Sequence, residues 1–260
     1  MIRFLAKALR YNMSAHISNI PNLLAATCGM LLNNIIFLLG LWGMLFAGKP
    51  ENQDLLHYYI ALNILIMTSY GVLCFFFGGW IEMGDLIING HFESKLATPR
   101  HPLLLVGTHA LHPSALGDLL LGLAGVGLLC GLGETEMAIR TFFASILAIF
   151  AFYSLFVLSG SLAFFIPRGN VVAHLVNNLA IILCSYPVGK IFPTGVGRTL
   201  MLLSPVAAIS LMPMDWIEQG TLGDFALAAA AIFLLWLVAM GVYRFGVKRY
   251  QALNLVGAQS

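Results

Sequence analysis

The chain has 260 residues, 60% of them hydrophobic and only 9% charged, with a mean hydropathy of +0.90 and a formal net charge of +2. Soluble domains carry about 25% charged residues, so this composition excludes one, and so small and dispersed a positive charge excludes nucleic acid as a partner. The apolar runs exceed the roughly 20 residues that a helix needs to cross a bilayer and lack the alternation of a membrane barrel, so the chain reads as an all-α polytopic membrane protein.

The N-terminal stretch "IRFLAKALRYNM" puts Phe4, Leu5, Ala8 and Leu9 on one helical face and Arg3, Lys7 and Arg10 near the other. That is the pattern of a helix lying in the headgroup region, over about residues 1–20. The apolar run of residues 23–47 follows a polar insert and is too long for a signal-peptide core, so it reads as a retained first span. At its outer end "GMLFAGKP" matches GxxxxGK. However, Pro50 replaces the Ser or Thr that would hold magnesium, and a membrane helix stands where a strand should precede. No nucleotide site is expected, and hence no ATPase activity and no cofactor of the chain's own.

The second span is expected at residues 57–80, followed by an unusually polar piece at about 81–102 that contains "GHFESKLATPRHP". Ile88, Phe92 and Leu96 recur there at four-residue spacing beside a polar row of Asp85, Asn89 and Glu93, and Pro99 ends the pattern. The spacing predicts one short amphipathic helix parallel to the membrane, an ordered docking surface. Next, "HPLLLVGTHALHPSALGD" reads as an interfacial helix leading into span three, at residues 115–133. His109 and His112 fall there at i and i+3 on one helical face, two ligands where tetrahedral zinc takes four, and no metal is expected. Cys28, Cys74, Cys130 and Cys184 lie singly in apolar runs without CxxC spacing, as packing residues. Asp118, at the start of span three, is first of all a carboxylate favoured by the helix macrodipole there, the alternative being a proton-relay or substrate-contacting acid. The glycines of "GLAGVGLLCGLG", residues 122–133, allow close approach of another helix.

Span four is expected at residues 140–166 and span five at 171–188. The fifth carries His174, Asn177 and Asn178, a polar cluster deep in a span, which serves as interhelical glue if it faces a helix or contacts cargo if it faces a cavity. "TLMLLSPVAAISLM" is too short to cross, is broken by Pro205 and is flanked by Pro193 and Pro213, so residues 189–213 read as an outer re-entrant segment. Span six is expected at 224–243. With six spans both termini share one side. Nine basic residues fall on that side, against Lys49, Arg140, Lys190 and Arg198 on the other, so the termini and residues 81–102 are expected in the cytoplasm. Loops this short leave room for a single transmembrane domain over residues 1–260.

Between about Met67 and Met214 the order of "GDLIINGHFESKLATPRHPLLL", "SALGDLLLGL", "YPVGKIFP" and "MLLSPVAAISLMP" resembles the membrane permeases of type 2 ABC exporters, the ABC-2 group of bacterial proteins with about six spans. The resemblance implies a coupling helix between spans two and three, seated in a cleft of a separate ATPase subunit that binds ATP and magnesium, with Asp85, Ile88, Phe92, Glu93 and Leu96 as the coupling residues. It implies a second permease copy or a homologous permease to complete the pathway, and the bacterial inner membrane as the location. It further implies outer helices that close the exit, with Tyr186, Phe192, Pro193 and Pro205 as gate residues and His174, Asn177 and Asn178 along the cargo path. Few charges in the spans favour amphipathic or hydrophobic cargo.

Two other classes compete. An ion- or proton-coupled carrier or channel would use Asp118 and the nearby histidines, but such carriers show several intramembrane charges and inverted repeats. An intramembrane metalloenzyme built on His109 and His112 would need further ligands and a catalytic acid.

Overall fold

In the computed structural model, which describes residues 2–46 and 53–257, the protein is helical throughout, with no strand among the described residues. Helix α1 (Ile2–Ile17) breaks at Ser18 and Asn19 and leads into α2 (Ile20–Phe46). Residues 47–50 of the GxxxxGK stretch lie outside the described residues. Helix α3 (Gln53–Phe77) ends in a 3₁₀ turn at Gly78–Trp80, and three short helices follow: α4 (Met83–Ile88), α5 (Phe92–Leu96) and α6 (Pro102–Gly107). Then come α7 (Ala115–Gly131), α8 (Thr135–Ser161) and α9 (Gly169–Ser185). The piece between α9 and the last helix consists of α10 (Val188–Ile191), α11 (Gly195–Leu202), a π-helical turn at Ala207–Leu211 and α12 (Met212–Gln219), and α13 (Leu222–Gly257) follows.

Among the described residues, four helices are long and apolar enough to cross a membrane: residues Ile20–Gly40, Leu55–Ile88, Thr135–Phe164 and Leu222–Tyr250. Gly195–Leu202 and Ala207–Gln219 together form a pair bent by 94° at Pro205, which makes five if the pair counts as one crossing. The stretches expected as the third and fifth spans form α7 and α9, which are apolar but, at 17 residues each, shorter than the four candidate spans. At 1.5 Å per residue each runs only about 25 Å, short of the roughly 30 Å hydrocarbon core. Leucine and alanine supply the length of all these helices, since straight and small side chains lose little freedom in a helix.

Burial separates a centre from a periphery. The most apolar stretch of the α3 span is 67% buried within the bundle and that of α8 is 56%, against 11% for α2 and 17% for α13. Leu62, Leu65 and Leu73 of α3 pack with Phe152, Leu155 and Phe156 of α8 in the main core. Lipid tails are as apolar as leucine, so this core cannot be assembled by expelling water from between helices; close packing must do it. Small residues provide the approach. A Cβ on Gly71 of α3 would lie 2.6 Å from the backbone nitrogen of Leu119, and one on Gly122 of α7 would lie 2.4 Å from Thr68 Oγ1 and 2.8 Å from its backbone nitrogen. Gly117 receives α2 in the same way, its Cβ position lying 2.7 Å from the carbonyl oxygen of Thr27.

Ion pairs tie the piece between α9 and α13 together. Lys190 Nζ lies 2.5 Å from Glu218 Oε1 and Arg198 donates to Asp215 Oδ2 at 2.7 Å, across the bend. Arg140 pairs with Glu136 and donates to the carbonyl of Ile217 at 3.0 Å.

Gly71→Ala is expected to lower the thermal unfolding midpoint of the purified protein in lipid nanodiscs, because the added methyl meets backbone and overpacking costs about 1–3 kcal/mol. Gly127→Ala, where nothing lies within 4 Å, should leave the midpoint unchanged or raise it, alanine being the better helix former by up to about 1 kcal/mol.

Candidate functional site

Two regions combine polar groups with a defined shape: the segment between α3 and α7, and a cavity walled by α2, α3, α7 and α9. In the first, α4 and α5 are separate helices. Gly90, at φ +76°, turns the chain sharply between them, a conformation that glycine adopts without steric cost. The single amphipathic helix expected here is therefore two, and the stripe of Ile88, Phe92 and Leu96 is broken. Ile88 is 42% exposed while Phe92 is fully buried, edge-on to Phe164 at 5.4 Å and to Tyr250 at 6.2 Å. Leu96 is half-buried, and Glu93 is exposed and accepts a hydrogen bond from the Tyr250 hydroxyl at 3.2 Å.

The segment is fastened to the bundle at several points. Met83 is fully buried and meets α8 at Gly160, where a Cβ would lie 2.8 Å from its own. Trp80 Nε1 donates to the Leu103 carbonyl at 2.7 Å, fixing α6 beneath the end of α3. Asp85 turns inward: its Oδ1 accepts from Asn170 Nδ2 at 2.9 Å, and its Oδ2 lies 2.7 Å from His174 Nε2, both on α9. What remains outside is a continuous exposed edge of Ile88, Asn89, Gly90 and His91, continued by Glu93 and Ser94.

His109 and His112 do not share a helical face, because α6 stops at Gly107 and α7 starts at Ala115. Lys95 Nζ lies 3.4 Å from His109 Nδ1, and His112 Nε2 lies 3.4 Å from Glu82 Oε1. Partial burial first and then the Lys95 charge hold the His109 imidazole below its ordinary range. Among the described residues no three His, Cys, Asp or Glu side chains are grouped to hold a metal ion.

The cavity has a volume of about 450 Å³. Its polar lining is Asn33 and Asn34 of α2, Asn63 of α3, Asp118 of α7, and Asn178 and Ser185 of α9. Asn34 Nδ2 donates to Asp118 Oδ1 at 2.6 Å, while Asp118 Oδ2 is buried without a hydrogen-bond partner. Between these groups stand Phe37, Ile66, Tyr70, Ile182 and Tyr186. Phe37 and Tyr186 meet edge to face at 6.2 Å, joining α2 to the C-terminal end of α9.

The cluster on α9 thus divides. Asn177 is interhelical glue: buried, it accepts from Ser159 Oγ of α8 at 2.7 Å. Asn178 lines the cavity, and His174 belongs to the Asp85 anchor. Of the four expected gate residues only Tyr186 lines this cavity. Phe192 packs on Gly197, Pro193 is exposed, and Pro205 borders a second, mostly apolar cavity of about 530 Å³ between the bend and α13. Sequence reasoning passed over Asn33, Asn34 and Asn63. The signal was present in "LLNNIIF", a pair of amides inside an apolar run, as at Asn177 and Asn178.

A family model, described as ABC-2 family transporter protein, matches residues 52–253, which include both regions except for α2. The chain belongs to the ABC-2 family of transporter proteins. It is therefore a multi-pass membrane protein and the permease component of an ABC transporter, and membership implies association with an ABC ATPase subunit. No curated protein and no solved structure matches the chain. In this permease the family match extends across the anchored segment, α7 with Asp118, and the whole of α9.

A double-mutant cycle of Ser159→Ala with Asn177→Ala, read by thermal unfolding in nanodiscs, is expected to give a coupling of about 1 kcal/mol, the scale of hydrogen bonds between membrane helices. The Asn178→Ala variant, lacking a helix partner, should unfold within about 0.5 kcal/mol of wild type.

Proposed function

We propose that this ABC-2 permease is one half of an ATP-driven exporter in the bacterial inner membrane, moving amphipathic or hydrophobic cargo, with a soluble ATPase seated on residues 81–102. The observation that carries the reading is the form of that segment: it is folded, rigidly anchored, and presents an exposed edge from Ile88 to Ser94 at the end of the bundle opposite the ion-paired outer piece. A coupling element must be polar enough to stand in water and stiff enough to transmit force. Buried Met83 and Phe92 and the Asp85 link to α9 supply the stiffness.

In this reading the protein crosses the membrane six times, through α2, α3, α7, α8, α9 and α13. Both termini are cytoplasmic, α1 lies in the headgroup region, and α10 to α12 form a re-entrant outer gate. A second copy, or a homologous permease, completes the pathway. ATP and magnesium stay with the ATPase. When its two subunits close they press on the exposed edge, and the shortest connected route inward runs from α4 through Asp85 to Asn170 and His174, then along α9 to Tyr186 at its far end. Contact between Tyr186 and Phe37 then changes as α9 moves relative to α2.

The test is co-purification with a soluble protein carrying GxxxxGK[ST], together with ATP hydrolysis in nanodiscs. Ile88→Glu and His91→Glu, both on the exposed edge, are expected to weaken ATPase binding about tenfold or more while leaving thermal stability within about 0.5 kcal/mol of wild type. Phe92→Ala should instead destabilise the permease itself, by about 3–5 kcal/mol as for a buried aromatic. Unchanged ATPase binding in folded Ile88→Glu and His91→Glu would remove the coupling assignment. Proton flux in liposomes without ATP would favour a carrier using Asp118.

A further inference from the structure

Among the described residues, Asp118 is the one charged residue lining the 450 Å³ cavity, and no lysine, arginine or histidine lines it. It is 4% exposed, and its Oδ1 is taken by Asn34 while Oδ2 has no partner. A buried carboxylate without a counter-charge is costly, the more so in a membrane helix. The helix N-terminus alone does not account for it, because the residue borders the cavity and its buried Oδ2 has no hydrogen-bond partner there. The surroundings fit an incoming cation with an apolar body. Phe37, Tyr70 and Tyr186 are aromatic rings of the kind that attract an ammonium, Ile66 and Ile182 supply apolar wall, and Asn33 and Asn178 bring amide oxygens within the same space.

We propose that this cavity binds a primary or secondary ammonium carried on an apolar body, with an N–H of the ammonium donating to Asp118 Oδ2. The proposal rests on the permease reading and narrows its cargo from amphipathic molecules in general to cationic amines. The same chemistry arises from two sources, a free amphiphilic amine and the headgroup of an aminolipid.

The experiment uses the full chain in nanodiscs of phosphatidylcholine, whose headgroup has no N–H, with dansylcadaverine as the probe and fluorescence anisotropy as the readout. The N-acetylated probe, equally apolar but uncharged, is the control. We expect dansylcadaverine to bind at least about tenfold more tightly than the acetylated form, the scale of a charge-assisted hydrogen bond. Asp118→Asn should abolish that preference while retaining the fold, as judged by its unfolding midpoint. If Asp118→Asn does not fold, Ile182→Trp serves in its place. It starts from a half-exposed position on α9 that lines the cavity, and its larger ring is expected to take up cavity space and abolish binding of the amine. Competition by phosphatidylethanolamine added to the nanodisc assigns the site to a lipid headgroup, and its absence assigns it to a free amine. Equal binding of the two probes to wild type, or a preference that survives in Asp118→Asn or Ile182→Trp, overturns the proposal. ATPase co-purification is read on the same samples. Retained ATPase binding without amine preference sinks the cargo class alone, whereas absent ATPase binding to wild type sinks the ATP-driven exporter reading beneath it.

Discussion

The close approach of α3 and α7 governs the arrangement of the rest. In lipid, two apolar helices gain nothing by hiding from solvent, so their association depends on how near the backbones come and on the polar pairs that the approach permits. Gly71 sets α3 against the backbone at Leu119, and Gly122 sets α7 against Thr68. Once those two contacts are made, the N-terminal turn of α7 is fixed beside α3, and Gly117 offers a flat surface to α2 at Thr27 and Met30. Asp118, one residue on, is thereby placed where Asn34 reaches it. The cavity, its carboxylate and its amide neighbours are all consequences of a packing rule that concerns glycine.

Helix α9 joins the two functional regions because its polar residues take different partners along its length. Asn170 and His174 in its first turns hold Asp85 of the anchored segment, Asn177 bonds to Ser159 of α8 in the middle, and Asn178 and Ser185 face the cavity. Helix α4 is thus tied to the start of α9 through Asp85 and to α8 through Met83. A short helix such as α9 bends little, because its backbone hydrogen bonds are all internal, and 17 residues span only about 25 Å.

Much of this was legible in the sequence, and what was not has identifiable causes. The apolar runs marked α2, α3, α7, α8, α9 and α13 to within a few residues at most ends, and the prolines around residue 205 marked the bend. Two local features escaped periodicity. Gly90 at positive φ interrupts a pattern that reads as continuous helix, because a four-residue spacing carries no information about a left-handed turn inside it. Phe92, counted among the exposed docking residues, is instead the segment's anchor, since burial depends on Phe164 and Tyr250, which are distant in sequence. For the same reason the roles of His174, Asn177 and Asn178 could not be separated from composition. Three polar residues within five positions of one helix point in different directions, and only their partners on α4, on α8 and across the cavity tell them apart.

The walls of the cavity are unequal. Helix α3 is mostly buried within the bundle, and α7 lies against it at glycine contacts, so neither moves without disturbing the core. Helix α2 is held by fewer means: the fit at Gly117, the hydroxyl of Thr27 donating to the Pro113 carbonyl at 3.3 Å, the Asn34–Asp118 bond, and the Phe37–Tyr186 ring contact. Two of those four attachments are made to cavity residues. A molecule that enters and engages Asp118 therefore sits beside two of the contacts that hold α2 in place. Occupancy of the cavity and the position of its least buried wall are for that reason linked, whichever end of the pathway opens.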